Sequence, residues 1–262
     1  MSYKTLLLEK ENNIAVLSLN QPHTKNSMSQ EMKDEFRWAI KEIKEDSGIK
    51  ILVLTGEGDS FCSGGDLNSA FFMMEDPPSE GKAKLIEFYK SFLSLRDLAV
   101  PTIAAINGYA VGAGLCLALA CDMRIAADNA KMSVSFIKLG LHPGMGGTYL
   151  LPRLVGAAKA FELFLTGKIV LADEALRIGL VNQVVGKNQL RSAALDLAAQ
   201  IAGYPAVPAR YLKKSVYKGL DTDLDSALDY ESSAQVICAS TRDMREGVNA
   251  LKEKRSPVFK GL

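Results

Sequence analysis

Residues 107–122 read NGYAVGAGLCLALACD, and this stretch is the key to the rest of the chain. Three glycines, Gly108, Gly112 and Gly114, come directly before or at the start of an apolar run, Leu115–Cys121, that is typical of a short helix. Glycines crowded at such a place indicate a backbone that approaches another group closely. Between its two ends the stretch holds no side chain more acidic than a thiol. Any stronger acid or base must therefore come from elsewhere in the chain.

A second glycine-rich turn lies about forty residues earlier, in TGEGDSFCSGGDL (55–67). Each turn follows an apolar run that predicts a buried strand, Lys50–Leu54 in one case and Thr102–Ile106 in the other. A strand that ends in such a turn leaves backbone N–H groups free, and two adjacent turns can each offer one N–H to the same oxygen. The pair predicts an oxyanion hole, in which each donor contributes about 3–4 kcal/mol. The alternative is that the glycines only permit tight turns and close packing.

Helices and short strands alternate over the first two thirds of the chain, which indicates the α/β class. Predicted helices there include Met28–Glu45 and Lys82–Leu98, and Glu75–Gly81 has the composition of a mobile loop. In the last third the strand signals cease and only helical patterns follow. We therefore predict a core of residues 1–200 and a C-terminal helical region of residues 201–262.

Composition excludes several classes of function. The 31 basic and 30 acidic residues give a net charge of +1, so nothing favours a nucleic-acid partner. The two histidines, His23 and His142, lie far apart and far from ligand spacing with a cysteine, so we expect no metal site. Four irregularly spaced cysteines suit a reducing compartment, and the longest apolar run is too short to span a bilayer. We expect a cytoplasmic protein with no membrane partner.

Several motifs, in order, resemble the crotonase superfamily of enoyl-CoA hydratases and isomerases. They are NQPHTKNSMS (20–29), FCSGGDL (61–67), PTIAAINGYAVGAG (101–114), LGLHPGMGGTYLLPRLVG (139–156), LTGKIVLADEALRIGLVNQVV (165–185) and LKEKRSPVF (251–259). The resemblance covers nearly the whole chain. It implies a crotonase-like spiral of β-β-α units with a C-terminal helical trimerisation region. It also implies a homotrimer or a dimer of trimers.

The same resemblance implies a substrate and a binding site. The substrate is an acyl-CoA thioester or an acyl-carrier-protein thioester, and coenzyme A is part of the substrate rather than a separate cofactor. The oxyanion donors are the N–H groups of Gly65 and Ala113. Residues that flank the coenzyme are Gly64, Gly65, Asp66, Leu67 and Asn68. Lys254 of a neighbouring subunit is expected to meet a CoA phosphate.

The chain departs from the family pattern at the two places where hydratases carry glutamates. Here those places hold Cys116 and Phe136. Hydration needs a base for water and an acid for the α-carbon, and phenylalanine is neither. Cys116 is either an ionised thiol near a helix N-terminus or a small core residue. His142 is either an acid/base with a pKa near neutrality or part of a plain turn.

These residues predict an enzyme of the enoyl-CoA hydratase/isomerase family in fatty acid metabolism, a lyase or isomerase. It acts on an acyl-CoA thioester through an enolate that the oxyanion hole stabilises, and not by two-glutamate hydration. Isomerase, decarboxylase and hydrolase chemistry all stay open. The alternative is a catalytically silent homologue that binds acyl-CoA or is a structural subunit.

Overall fold

The computed structural model describes residues 3–66 and 77–261. Its strands form one sheet of six and one sheet of four. The strands are β1 Leu6–Glu11, β2 Ile14–Leu19, β3 Ile51–Gly56, β4 Ser60–Cys62, β5 Thr102–Ile106, β6 Tyr109–Val111, β7 Met123–Ala127, β8 Lys131–Ser133, β9 Val170–Leu171 and β10 Gln183–Val185. The order is β1-β2-β3-β5-β7-β10 in the larger sheet and β4-β6-β8-β9 in the smaller.

From β3 to β8, consecutive strands alternate between the two sheets. The chain passes from β3 to β4, from β5 to β6 and from β7 to β8, and each time it leaves the larger sheet for the smaller. The neighbours β3, β5 and β7 pair in parallel, as do β4, β6 and β8. Each pair of strands is followed by helix, so the chain winds as a spiral. This is the predicted spiral of β-β-α units.

Helices follow the strands and dominate the last third of the described chain. They are α1 Gln30–Glu45, α2 Pro78–Leu93, α3 Ala113–Leu119, α4 Gly147–Val155, α5 Ala157–Thr166, α6 Ala172–Arg177, α7 Leu190–Ala202, α8 Ala206–Gly219, α9 Leu224–Ala239 and α10 Arg242–Glu253. None of the helices within residues 3–66 and 77–261 has the length and apolar character that crossing a bilayer requires.

One expectation about these helices is corrected. The predicted loop Glu75–Gly81 overlaps α2, which begins at Pro78 rather than at Lys82. Proline suits the first turn of a helix because its missing N–H has no helical partner there and its φ is already helical. Residues 75 and 76 lie outside the described part of the chain. The helix also ends earlier than predicted, because Ser94–Asp97 continue as a 3-10 turn.

The central strands β2, β3 and β5 of the larger sheet are buried on both faces. Along β3, Leu52 and Leu54 point into the main core, while Ile51 and Val53 point into a second core. This alternation is the two-residue period of a strand. Helix α7 covers the second core with Leu190, Ala194, Ala198 and Ala202, which are spaced four apart and so share one face. A strand covered on both sides has a continuous apolar sequence, as β3 has.

The C-terminal helices leave large apolar side chains exposed. The most exposed of them are Leu212, Val216, Leu220, Leu224, Leu228, Val236 and Leu251. Helix α8 is nevertheless joined to the core, because Lys213 Nζ lies 3.0 Å from Asp122 Oδ2 and the Tyr217 hydroxyl donates to Asp122 Oδ1 at 2.7 Å. The boundary near residue 200 falls at the end of α7 and stays a prediction.

Candidate active site

The two glycine-rich turns lie side by side at one edge of the smaller sheet. Strands β4 and β6 pair in parallel, so their carboxyl ends deliver both turns to the same edge. Gly64 has a backbone φ of +104°, a value that residues other than glycine rarely adopt. A methyl group on Gly64 would lie 2.9 Å from the Val111 carbonyl oxygen and 3.6 Å from the Ala113 nitrogen. The adjacency that the oxyanion hypothesis requires is therefore present.

Two backbone N–H groups point away from protein acceptors at this edge. Met28 donates its N–H to Gly64 O at 2.8 Å and accepts from the Asp66 N–H at 3.1 Å, so it uses the groups on either side of Gly65. Ala113 is the first residue of α3, where an N–H has no helical acceptor. Within the part of the chain that the structure describes, neither the Gly65 N–H nor the Ala113 N–H has an acceptor.

The glycines divide into two groups by what surrounds them. A methyl group on Gly108 would overlap the Asp59 carbonyl oxygen, and one on Gly114 would overlap the Cys62 carbonyl oxygen. These two glycines permit close packing of one turn on the other, which is the alternative explanation given above. A methyl group on Gly65 would meet no atom of residues 3–66 or 77–261 within 4 Å. Those residues therefore leave space in which a ligand can approach the Gly65 backbone.

Two asparagines hold the turn between β3 and β4 in place. The Asn26 side-chain amide is buried; it donates to Glu57 O at 2.9 Å and to Ser60 O at 2.7 Å. Its Oδ1 accepts from the Gln21 N–H at 2.8 Å. Asn107 Nδ2 donates to the carbonyl oxygens of Gly56 and Gly58 at 2.8 and 2.9 Å. Sequence reasoning did not assign a role to either asparagine.

In the described part of the chain, the side chains nearest to four glycines of this region carry no charge. The side chains closest to a methyl group placed on Gly112, Gly144, Gly146 or Gly147 are Tyr89, Leu93, Cys116, Phe136, Leu150 and Phe164. Phe136 belongs to a 3-10 turn, Ser135–Leu139, and its ring lies 3.8 Å from the position of such a methyl on Gly112. We call these six side chains the uncharged wall, and none of them is a carboxylate.

Cys116 is completely buried. Burial raises the pKa of its thiol to about 12, so the group is protonated at neutral pH. Its Sγ would lie 2.9 Å from a methyl group on Gly147, which shows tight packing between α3 and the start of α4. These facts favour the core alternative for Cys116 over an ionised nucleophile or base.

The other predicted site residues lie at different places. His142 is exposed, and its Nδ1 donates to Pro143 O at 2.8 Å, within its own loop. Lys254 is exposed at the end of α10 with a φ of 54°, on the helical region rather than beside the turns. Asp66 directly follows Gly65. Leu67 and Asn68 fall outside the described residues. In residues 3–66 and 77–261 no group of three His, Cys, Asp or Glu side chains is arranged to hold a metal ion.

Tyr89 is the residue near the site that sequence reasoning missed. It lies on α2, and its hydroxyl reaches Gly144, where a methyl group would overlap the Oη and lie 2.9 Å from Cζ. Together with other residues of α2, including Leu85 and Ile86, it lines an open cleft of about 380 Å³. The sequence did contain a signal for Tyr89: it carries a hydroxyl group and lies four positions after Leu85, on the apolar side of the predicted helix Lys82–Leu98.

Comparison with known proteins gives consistent matches over the whole chain. Residues 9–262 match the family described as enoyl-CoA hydratase/isomerase. The chain is 38% identical to a crotonyl-CoA hydratase of Syntrophomonas wolfei, over 99% of both chains. It is also 38% identical to a 1,2-epoxyphenylacetyl-CoA isomerase of Escherichia coli, over 98% of both chains. A crystal structure of an enoyl-CoA hydratase from Bacillus anthracis superposes with a TM-score of 0.93 at 34% identity, covering 99% of this chain and 100% of the other.

Proposed function

The chain belongs to the enoyl-CoA hydratase/isomerase family, and we propose that it forms an enolate from an acyl-CoA thioester in the site described above. The observation that carries this proposal is the pair of N–H groups, on Gly65 and Ala113, that lack acceptors in the described chain and lie on adjacent turns. A thioester carbonyl oxygen placed between them gains two donors as it becomes negative. A carrier-protein thioester presents the same carbonyl.

The uncharged wall decides between the reactions that begin from this arrangement. Hydration, double-bond isomerisation and thioester hydrolysis each need a base, either to remove a carbon-bound proton or to activate water. Loss of carbon dioxide from a malonyl-type thioester needs none, because the breaking carbon–carbon bond itself supplies the electron pair of the enolate. Cys116 is protonated and Phe136 has no proton to exchange. We therefore propose decarboxylation of a malonyl-type acyl-CoA, a lyase reaction.

The names of the relatives favour different reactions, hydration and isomerisation. Those relatives share the fold and the family, whereas the reaction depends on a few side chains beside the thioester. A second candidate function is binding of acyl-CoA without turnover, and the same uncharged wall favours it. A panel of crotonyl-, 3-enoyl-, malonyl- and methylmalonyl-CoA separates the two candidates. Turnover of the malonyl-type members supports the enzyme, while binding with no turnover of any member supports the silent protein.

Replacing Gly65 by proline is expected to lower kcat by about 10²–10³-fold, because proline has no N–H and one oxyanion donor is lost. Gly65→Ala is the matched control. It keeps the N–H, its methyl group meets no described residue within 4 Å, and the φ of Gly65 is not in the left-handed region. The measurement is steady-state decarboxylation with each variant. If the proline and alanine variants turn over equally fast, the assignment of Gly65 as a donor is wrong.

We also propose a trimer-based assembly, either one trimer or a dimer of trimers. Support comes from the apolar side chains that α8, α9 and α10 expose, among them Leu224 at 73% and Leu251 at 80%. Burying such residues between subunits contributes about 25 cal/mol per Å² of apolar area. Light scattering at micromolar concentration is expected to give three or six times the mass of one chain. A stable monomer would contradict this proposal and would remove the role of Lys254 at a neighbouring site.

A further inference from the structure

Among the six described side chains of the uncharged wall, Tyr89 carries the one hydroxyl group. Its ring is half-buried and packs edge-on against Phe88, with 6.4 Å between ring centroids. Its Oη occupies the space that the absent side chain of Gly144 leaves open. Within residues 3–66 and 77–261 this hydroxyl has no hydrogen-bond partner. A half-buried hydroxyl in that state has its hydrogen-bonding capacity available to a ligand.

One loop links the hydroxyl to the helix that carries the second proposed oxyanion donor. A methyl group on Gly144 would overlap the Tyr89 Oη, and one on Gly147, three residues further on, would lie 2.9 Å from the Cys116 Sγ. Cys116 is the fourth residue of α3 and its N–H donates to Gly112 O at 3.1 Å, so the loop that contacts Tyr89 also packs on the first turn of α3, which begins at Ala113. The cleft along α2 leads to the same hydroxyl, and its Leu85 and Ile86 offer an apolar surface to an acyl chain.

Burial keeps this hydroxyl protonated, because it raises the pKa of Tyr89 above its ordinary value. A phenol whose pKa is raised gives up a proton only to a strong base. An enolate carbon is such a base, whereas water is not. The group is therefore suited to donate a proton and unsuited to remove one.

We propose that Tyr89 is the catalytic acid that protonates the α-carbon of the enolate held by Gly65 and Ala113. This inference rests on the proposed function. In the step, the bond from the α-carbon to the carboxylate carbon breaks, carbon dioxide leaves, and the electron pair becomes the enolate. The α-carbon then forms a bond to the Tyr89 hydroxyl proton, and the tyrosinate takes a proton back from water. Since the hydroxyl stands on one side of the site, it delivers the proton to one face of the carbon.

The test is decarboxylation of methylmalonyl-CoA in deuterium oxide. The product, propionyl-CoA deuterated at the α-carbon, is chiral. The unaltered protein is expected to give one enantiomer. Tyr89→Phe is expected to give both enantiomers, because solvent then supplies the deuteron, and to lower kcat by about 10²-fold or more. Tyr204→Phe, which removes a hydroxyl from a side chain that is 55% exposed, is the matched control and is expected to behave as the unaltered protein.

A second variant tests the position of the hydroxyl without removing it. A methyl group in Gly144→Ala overlaps the Tyr89 Oη, and Gly144 does not have a positive φ, so the main effect is to displace the hydroxyl. The product is again expected to be a mixture of enantiomers. Because the two changes act on the same group, their effects on kcat are expected to be far from additive in the double variant.

The outcomes separate this inference from the proposed function. A Tyr89→Phe variant that still gives a single enantiomer overturns the assignment of Tyr89 and leaves the decarboxylase proposal intact. If the decreases in kcat caused by Gly144→Ala and by Tyr89→Phe simply add in the double variant, the assignment of Tyr89 is likewise overturned and the decarboxylase proposal stays intact. Absence of turnover of every malonyl-type thioester by the unaltered protein overturns the proposed function and, with it, this inference.

Discussion

Crotonyl-CoA is expected to keep its double bond when it is mixed with this protein. Addition of water needs a base and an acid beside the bond, and each is typically worth about 10²–10⁴-fold in rate. The positions to which the sequence resemblance assigns these groups hold Cys116, whose pKa burial raises to about 12, and Phe136. Tyr89 can donate a proton, but nothing on the described wall activates water. Only binding and oxyanion stabilisation remain, and they are too little for efficient hydration.

The measurement is the loss of the absorbance of the crotonyl-CoA double bond with time. A positive control is a malonyl-type thioester, which the same preparation is expected to decarboxylate. A second-order rate constant of roughly 10⁴ M⁻¹s⁻¹ or above for crotonyl-CoA lies in the range of working enzymes and would contradict the prediction. In that case His142→Ala and Cys116→Ala should be compared, since the variant that abolishes hydration identifies the missing group.

This expectation is a demanding one because the fold of the chain superposes closely on a solved enoyl-CoA hydratase, with a TM-score of 0.93. If the fold and the proposed oxyanion hole were sufficient for hydration, crotonyl-CoA would be hydrated without an acid and a base at the positions of Cys116 and Phe136. The crotonyl-CoA measurement therefore separates what the fold supplies from what the acid and base supply.

The fold was largely predictable from sequence because its strongest signals are local. β3 and β5 are continuous apolar runs, and the alternation of strands and helices indicated the α/β class. The three-residue strands β4 and β6 were not predicted, because so short a strand shows no periodicity. Their pairing is nevertheless what places the two turns together. The adjacency of the two glycine-rich turns was thus a hypothesis from sequence, and only the three-dimensional structure could show that a methyl group on Gly64 would lie 3.6 Å from the Ala113 nitrogen.

The position of Tyr89 beside Gly144 could not be predicted from the sequence. It lies 27 residues before Cys116 and 55 before Gly144, as the printed sequence gives, and no spacing rule joins the three. The contact of its hydroxyl with Gly144 depends on how α2 packs against the loop that contains Gly144. In sequence it is one aromatic residue among several on an apolar helical face, where a core role is the ordinary interpretation. The two asparagines that hold the β3–β4 turn were missed for the same reason.

Gly114→Ala is expected to destabilise the protein strongly, although alanine normally favours a helix. Gly114 is the second residue of α3 and does not have a positive φ, so its backbone conformation does not require glycine. The constraint is space. An added methyl group overlaps the Cys62 carbonyl oxygen and lies 2.8 Å from both the carbonyl carbon and Cβ of Cys62.

Neither side of this contact can move away easily. Cys62 is fully buried and pairs with Ala110 of β6, so a shift of β4 breaks strand pairing and opens the core. Overpacking of this kind costs about 3 kcal/mol and occasionally more, which exceeds the gain of about 1 kcal/mol in helix propensity. A loss of that size is a large part of a typical total stability of 5–15 kcal/mol.

Thermal unfolding of Gly114→Ala and Gly65→Ala at equal protein concentration measures the difference. The first is expected to lower the apparent Tm by about 6 °C or more, or to prevent folding altogether. The second is expected to leave it unchanged, because its methyl group meets no atom within 4 Å in the part of the chain that the structure describes. Equal midpoints for the two variants would contradict the division of the glycines into packing and ligand-facing groups. What approaches the backbone at Gly114 is another strand of the same chain, and Gly65 alone of the two leaves room for a substrate.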